Sequence, residues 1–244
     1  VETSLFYRKR EGIIAQNIEA VPSTFGADLP VVNINSQENR GIEISAVYQE
    51  RFGDFRLELA PNFSFAQAKW IDVRSQEDFE DTDQKRLIGL DGQRVNRFVG
   101  YLSDGIFMSQ AEIDNHPVVQ DDNENSTLRP GDIRYIDRDG DGQITFRDQD
   151  EIGFATGIPE IVYGMNLGLQ YKNFRLSALI QGASNFAINI SGSARTMFSN
   201  QSIPLTYQYD LRWQPDLNNP TENINPNAAL PAATQSPSFN NSRT

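Results

Sequence analysis

The sequence contains no cysteine, one histidine, three methionines and two tryptophans. Without cysteine there is neither a disulfide framework nor a thiolate metal site. A single histidine, His116, leaves a histidine-rich metal centre or a serine–histidine–acid triad without material. Set among Asn and Asp, it is expected to be a solvated loop residue. Basic residues are also short: 21 Lys and Arg stand against 33 Asp and Glu, for a net charge of -12. That deficit excludes nucleic acid as a partner, because phosphate binding needs cations that displace condensed counterions. Mean hydropathy is -0.51, and no apolar run approaches the ~18 residues of a membrane-spanning helix.

What is present is alternation. From Gly41 to Tyr48, residues Ile42, Ile44, Ala46 and Tyr48 share one parity, with Glu43 and Ser45 on the other and Val47 out of phase. After a turn through Arg51-Phe52-Gly53-Asp54 the pattern resumes as Phe55, Leu57, Leu59, Phe63 and Phe65. A second hairpin sets Tyr163, Met165, Leu167, Leu169 and Tyr171 before a Lys172-Asn173 turn, and Phe174, Leu176, Ala178 and Ile180 after it. Period two sustained over roughly eight to twelve residues is a β signal, and the fold class read from it is all-β and antiparallel. The hairpins are expected near 41–66 and 161–182.

Alternation alone does not say what the apolar face meets. A soluble sandwich buries it against a second sheet, whereas an outer-membrane barrel turns it to lipid. Three features favour the barrel. Strands of about ten residues, tilted ~45°, span roughly 23 Å, the height of a barrel's apolar band. Short turns alternate with segments of many tens of residues rich in Asp, Asn, Gly and Pro, and compact soluble domains seldom carry such loops. Tyr48 and Phe55 flank the first turn, and Tyr171 and Phe174 the second, where an interfacial aromatic girdle sits. The opposite parity of the second hairpin, Gly164, Asn166, Gly168, Gln170, Arg175, Ser177 and Gln181, suits a hydrated interior.

The sharpest local motif runs from Asp137 to Asp148. It matches a twelve-position calcium loop, with Asp137, Asp139 and Asp141 at positions 1, 3 and 5 and Gly142 at 6. Gln143 offers a carbonyl at 7, Ile144 an apolar anchor at 8 and Asp148 an acid at 12. Ca²⁺ takes six to eight hard oxygens at ~2.3–2.6 Å, and odd spacing on a tight loop converges them. Position 12 is Asp where Glu is usual, and its shorter arm makes bidentate ligation harder. Flanking helices are absent from the pattern, so the expected role of Ca²⁺ is a structural staple. The other reading is an Asp/Gly-rich turn that stays solvated without metal.

Several ordered pieces then resemble one family. Arg129-Pro130-Gly131-Asp132-Ile133-Arg134-Tyr135 is followed by Asp139-Gly140-Asp141-Gly142-Gln143-Ile144, Ile152-Gly153, Pro159 and Tyr163-Gly164 with Asn166-Leu167-Gly168. Earlier come Val21-Pro22, Phe25-Gly26, Asn33, Glu38-Asn39-Arg40-Gly41-Ile42-Glu43 and Gly105-Ile106-Phe107 with Ser109-Gln110; later come Phe174 to Gly182 and Arg212-Trp213-Gln214-Pro215. Together these resemble the SusC/RagA family of TonB-linked outer-membrane transporters of Bacteroidota, with Arg40 replacing the commoner Lys. The resemblance implies a segment of a 22-stranded barrel in the outer membrane. It implies import of a nutrient, most often an oligosaccharide and sometimes a peptide, with energy from TonB through a plug domain. The partners it implies are that TonB protein, a SusD-like surface lipoprotein and outer-membrane lipid.

Neither plug nor terminal strands are visible in residues 1–244, so the chain is expected to be part of one larger barrel that does not fold as a unit alone. Its loops near 67–95, 108–160 and 183–240 would form the outer face, the last continuing with residues 183–244 as one long loop. Trp70, Tyr207, Tyr209 and Trp213 are candidates for stacking on sugar rings, although packing within the loops is the expected role of each. The alternative function is a soluble calcium-binding β module, an adhesin or carbohydrate-binding domain. An enzyme is not expected, because the acids cluster in one loop and not as a pair across a cleft.

Overall fold

The computed structural model describes residues 1–16, 29–74, 79, 81–121, 123–155, 157–198 and 201–234. The Val21-Pro22 and Phe25-Gly26 matches and the tail beyond 234 lie outside the described residues. Two compact units share the chain, Val1–Phe98 with Gly153–Ile188, and Val99–Ile152 with Asn189–Thr244. Among the described residues no helix is long and apolar enough to cross a membrane.

The first unit is an antiparallel sheet. Its strands are β1 (Glu2–Gln16), β2 (Val31–Ser45), β3 (Tyr48–Phe52) and β4 (Phe55–Asp72), to which β9 (Ile161–Tyr171) and β10 (Phe174–Ser184) add. The order is β1-β2-β4-β9-β10, with β3 also beside β4. The Lys172-Asn173 turn falls where the sequence placed it, whereas the first turn narrows from Arg51–Asp54 to Gly53-Asp54, because Arg51 and Phe52 still pair with Arg56 and Phe55. β2 and β3 are one strand in register: Ser45 faces Asn62 and Tyr48 faces Leu59, so no residue is gained or lost between them. Their separation lies opposite Pro61. Ala46 donates its N–H to the Pro61 carbonyl at 3.0 Å, and proline has no N–H to return.

The register sorts the side chains by face, because residues directly opposite in an antiparallel pair lie on the same side. One face carries the rows Phe52–Phe55–Tyr171–Phe174, Glu50–Leu57–Leu169–Leu176, Tyr48–Leu59–Leu167–Ala178, Pro61–Met165–Ile180, Ile44–Phe63–Tyr163 and Ile42–Phe65–Ile161, with Glu50 its charged exception. The other carries Arg51–Arg56–Gln170–Arg175, Gln49–Glu58–Gly168–Ser177, Ala60–Asn166–Leu179, Asn62–Gly164–Gln181 and Glu43–Ser64–Val162–Ala183. The apolar face is not covered: Phe174 is 81% exposed, Leu176 60% and Ile180 51%. Aromatic residues mark both of its limits. Beyond Phe65 the same parity turns polar, as Tyr7–Arg40–Gln67 and Lys9–Glu38–Lys69.

β4 therefore runs past the point where the sequence placed a loop. It reaches Asp72, and Gln93 to Val95 extends the sheet beside Ala68–Trp70, with Trp70 N–H bonded to Gln93 at 2.9 Å and Val95 N–H to Ala68 at 3.0 Å. Gly41 is required by a close approach: a Cβ there would lie 2.1 Å from the Phe65 carbonyl oxygen and 2.6 Å from the Phe6 ring. Between the strands, helix α1 (Thr82–Ile88) is capped by Asp81, which accepts the N–H groups of Asp83 and Gln84. Arg97 closes its other end, donating from one nitrogen to the carbonyls of Arg86, Leu87 and Gly89.

The second unit holds two small ladders. Strand β5 (Phe98–Tyr101) pairs with β8 (Gln149–Gly153), and β6 (Ser103–Ile106) with β7 (Ile133–Tyr135). Helices α2 (Gln110–Asp114) and α3 (Thr206–Leu211) complete it. Its core gathers Phe107, Ile113 and Leu128, all buried. His116 is not the solvated residue its neighbours in sequence suggested. It packs edge-on to Phe107 with ring centroids 5.0 Å apart, and its buried Nε2 has no hydrogen-bond partner among the described residues. Burial, with the nearby Arg134 charge, pushes its pKa down.

Candidate functional site

The acidic loop follows the extended β7 and turns at once. Asp137 organises the turn: Oδ1 accepts the N–H of Gly140 at 2.7 Å and Oδ2 that of Gly142 at 2.9 Å. Asp139 accepts from Asp141 N–H at 3.1 Å, and Asp141 from Gln143 N–H at 2.8 Å. Gly142 sits at φ 86°, in the left-handed region that glycine enters without a Cβ penalty. The loop's second half pairs with a neighbouring strand segment. Val119 donates to the Gly142 carbonyl at 2.9 Å and accepts from Ile144 N–H at 2.8 Å, so Ile144 anchors through its backbone.

This folding brings three of the five candidate ligands together. One carboxylate oxygen from each of Asp137, Asp139 and Asp141 lies within 4.8 Å of the others. Among the described residues no Lys or Arg forms an ion pair with any of the three. The N–H groups of Gly142 and Gly140 hold the Asp137 carboxyl below its ordinary pKa. Gln143 is exposed on the adjoining turn. Asp148 lies outside the cluster and is 1% exposed. Its carboxylate accepts the N–H groups of Arg138 at 2.8 Å, Asp139 at 3.5 Å and Thr145 at 2.6 Å. It ties the two ends of the loop from beneath.

Two further polar nodes escaped the sequence reading. Asp121 accepts the N–H groups of Asn123, Asn125 and Thr127 and the Thr127 hydroxyl. Burial pushes its pKa up, but the Thr127 hydroxyl and these N–H groups outweigh that and lower it. The alternating Asp121-x-Asn123-x-Asn125-x-Thr127 was the available signal. Glu160, 6% exposed, pairs with Arg94 at 3.3 Å and receives Gln67 and Asn185. Nothing local in its sequence marks that role, because its partners come from distant segments.

The aromatic candidates separate by environment. Trp213 is 3% exposed and donates its indole N–H to the Met108 carbonyl at 3.1 Å, so it is a packing residue. Tyr207 binds the Ala194 carbonyl through its hydroxyl, and the Tyr209 ring lies 4.1 Å under the Arg212 guanidinium. Trp70 is half-buried on β4 opposite Gln37.

No family model matches the chain. TonB-dependent receptor P26 of Formosa agariphila is 26% identical over 247 residues, covering 97% of this chain and 23% of that protein. TonB-dependent receptor P3 of the same organism is 27% identical over 171 residues, covering 67% of this chain and 16% of that protein. The chain thus spans less than a quarter of the length of the curated relatives it matches. Among solved structures, that of the RagAB peptide transporter aligns with 98% of this chain and 24% of its own, at 14% identity and a TM-score of 0.49. Over nearly its whole length this chain is similar to TonB-dependent receptors, in keeping with the SusC/RagA resemblance of its motifs.

Proposed function

We propose that the chain is part of the wall of an outer-membrane, TonB-dependent nutrient importer of the SusC type, working on oligosaccharides with a SusD-like surface lipoprotein. The observation that carries this is the uncovered apolar face. From Phe55 to Phe65 it runs ten residue steps, about 34 Å at ~3.4 Å each, and a ~45° tilt reduces that to roughly 24 Å. A barrel's lipid-facing band is ~25 Å tall and bounded by aromatic girdles. A soluble protein exposing such a face would aggregate. The names of the relatives, receptors dependent on TonB, point the same way and away from catalysis.

The test uses the intact parent protein. It is expected in the outer-membrane fraction, released only by detergent, bringing a lipoprotein with it and binding oligosaccharide in a calorimetric screen that includes peptides. Recovery of the intact parent as a soluble protein would overturn the reading, and binding of peptides alone would overturn its substrate.

We further propose that the loop holds a structural Ca²⁺ through Asp137, Asp139 and Asp141 with the Gln143 carbonyl, and that Asp148 supports it through the backbone. Three converging carboxylates without a cationic partner support this. Calorimetric titration of the intact protein should show one site that Asp139→Asn weakens at least tenfold. No heat at millimolar calcium would remove the claim.

A further inference from the structure

We propose that Tyr7, Arg40 and Lys69 form an outward-facing site for the phosphate groups of the outer leaflet's glycolipid. Tyr7 on β1 lies directly opposite Arg40 on β2, and Arg40 opposite Gln67 on β4. Lys69 stands two residues beyond Gln67, on the same face of the sheet. These residues follow Leu5, Ile42 and Phe65, the last row of the apolar face, with no break of parity between them. The site is therefore the rim of the uncovered apolar surface.

The charges on this rim do not cancel. Lys9 shares the face but is taken by Glu11, at 2.5 Å. Glu38 lies opposite both Lys9 and Lys69 in the register. Among the described residues no ion pair joins it to either, and none engages Arg40 or Lys69. With Lys9 and Glu11 paired off, Arg40 and Lys69 stand against Glu38 alone, which leaves positive charge in excess. Tyr7 and Arg40 are exposed and Lys69 is half-buried.

Chemistry and position together select the ligand. A guanidinium fork binds phosphate oxygens in bidentate geometry, an ammonium adds a point charge, and a phenol O–H adds a further donor. Arg40 and Lys69 are one strand and two residues apart, ~4.8 Å across and ~6.8 Å along, so about 8 Å separates their backbones. Long side chains of this kind lay their stems on apolar surface and carry the charge to its polar boundary. A free anion would meet only the charge, whereas a glycolipid also lays acyl chains on Leu5, Ile42 and Phe65. The leaflet follows from the turns. On the barrel reading, on which this inference rests, short turns face the periplasm, and Gly53-Asp54 and Lys172-Asn173 close the opposite end of the sheet. The rim at Arg40 thus meets the outer leaflet, and its phosphorylated glycolipid is the occupant.

The experiment uses the full-length protein extracted from native outer membranes in mild detergent. Glycolipid retained through purification, measured by mass spectrometry, should fall several-fold when Arg40→Gln and Lys69→Gln are combined. It should recover when Arg40→Lys and Lys69→Arg are combined instead. Unchanged retention in the folded, membrane-retained Gln double variant would overturn the inference. A second measurement needs no substitution: acylation of Lys69 by an amine reagent, in protein washed free of glycolipid and held in phosphate-free maltoside micelles. Added lipopolysaccharide should slow that reaction several-fold, while dephosphorylated lipopolysaccharide and inorganic phosphate should not. Equal protection by the dephosphorylated form, or by inorganic phosphate alone, would overturn the assignment to a phosphorylated glycolipid. Failure of the barrel reading is read separately, as loss of the unmodified protein from the membrane fraction.

Discussion

Asp148 accepts the N–H of Thr145 at 2.6 Å, while Thr145 accepts the N–H of Arg147 at 3.2 Å, so the two residues cap the same N-terminal end of one short turn reciprocally. The same carboxylate reaches back to Arg138. Asp148→Ala strands these donors around a buried site, at about 2–3 kcal/mol. Hydrogen exchange in residues 137–149 of the intact protein should accelerate roughly 30- to 150-fold, at about 1.4 kcal/mol per tenfold. Unchanged protection there would show that Asp148 does not hold the loop.

Acid should loosen the same region in two steps. Asp137 and Asp121 both have depressed pKa values in the fold. The order they contribute is complete above the unfolded aspartate value of about 3.9 and is lost as pH falls through the lower folded values. Protection factors at 121–127 and 137–142 should therefore stay flat from neutral pH to about 4 and drop below it. Asp121→Asn should flatten that drop at 121–127 alone. His116, whose pKa is also lowered, favours the neutral form in the fold. Its contribution is complete above about 6.5 and fades as pH falls through its lower folded value, so protection around Phe107 should begin to decline at milder acidity.

Neighbouring residues on β10 should answer the same substitution in opposite ways. Ile180 belongs to the apolar row with Pro61 and Met165, near the middle of the band, and Gln181 to the polar row with Asn62 and Gly164. Ile180→Arg should cost about 2–4 kcal/mol and lower the yield of heat-resistant barrel in the membrane. Gln181→Arg should leave that yield nearly unchanged. Equal effects at both positions would contradict a lipid-facing parity.

Trp213 should behave as a packing residue and not as a sugar platform. Trp213→Phe loses the bond to the Met108 carbonyl and should cost about 1 kcal/mol, whereas Trp213→Ala should cost about 3–5 kcal/mol. Proteolysis of the intact protein near residues 108–131 reads that loosening. A Trp213→Phe protein with unchanged proteolysis but weakened oligosaccharide binding would restore the stacking role.

The parts of the sheet that could be read in advance were those where its two faces meet different surroundings. Ile42 to Phe65 and Tyr163 to Ile180 alternate because one parity is apolar and the other wet. β1 and the first half of β2 show no such pattern, and the reason lies in their register. Only Thr3 and Leu5 of β1 reach the apolar rows, opposite Ile44 and Ile42; Lys9, Glu38 and Lys69 lie beyond them, where the parity that was apolar turns charged and the alternation breaks. The acidic loop was legible because its contacts are local, fixed by a spacing of two along the chain. Glu160, Arg97 and Trp213 were not, since each is defined by partners that only the fold brings near.

Pro61 gives the wall an asymmetry across one strand. Its carbonyl points to Ala46 and its missing donor points the same way, so the β9 side of β4 is spared and the β2–β3 side lacks a rung. From Gln37 to Phe52 the pairing against β4 keeps one register, after an irregularity between Ser36 and Gln37. If this wall ever parts sideways, the seam between β4 and its β2–β3 neighbour is where the first rung is already absent.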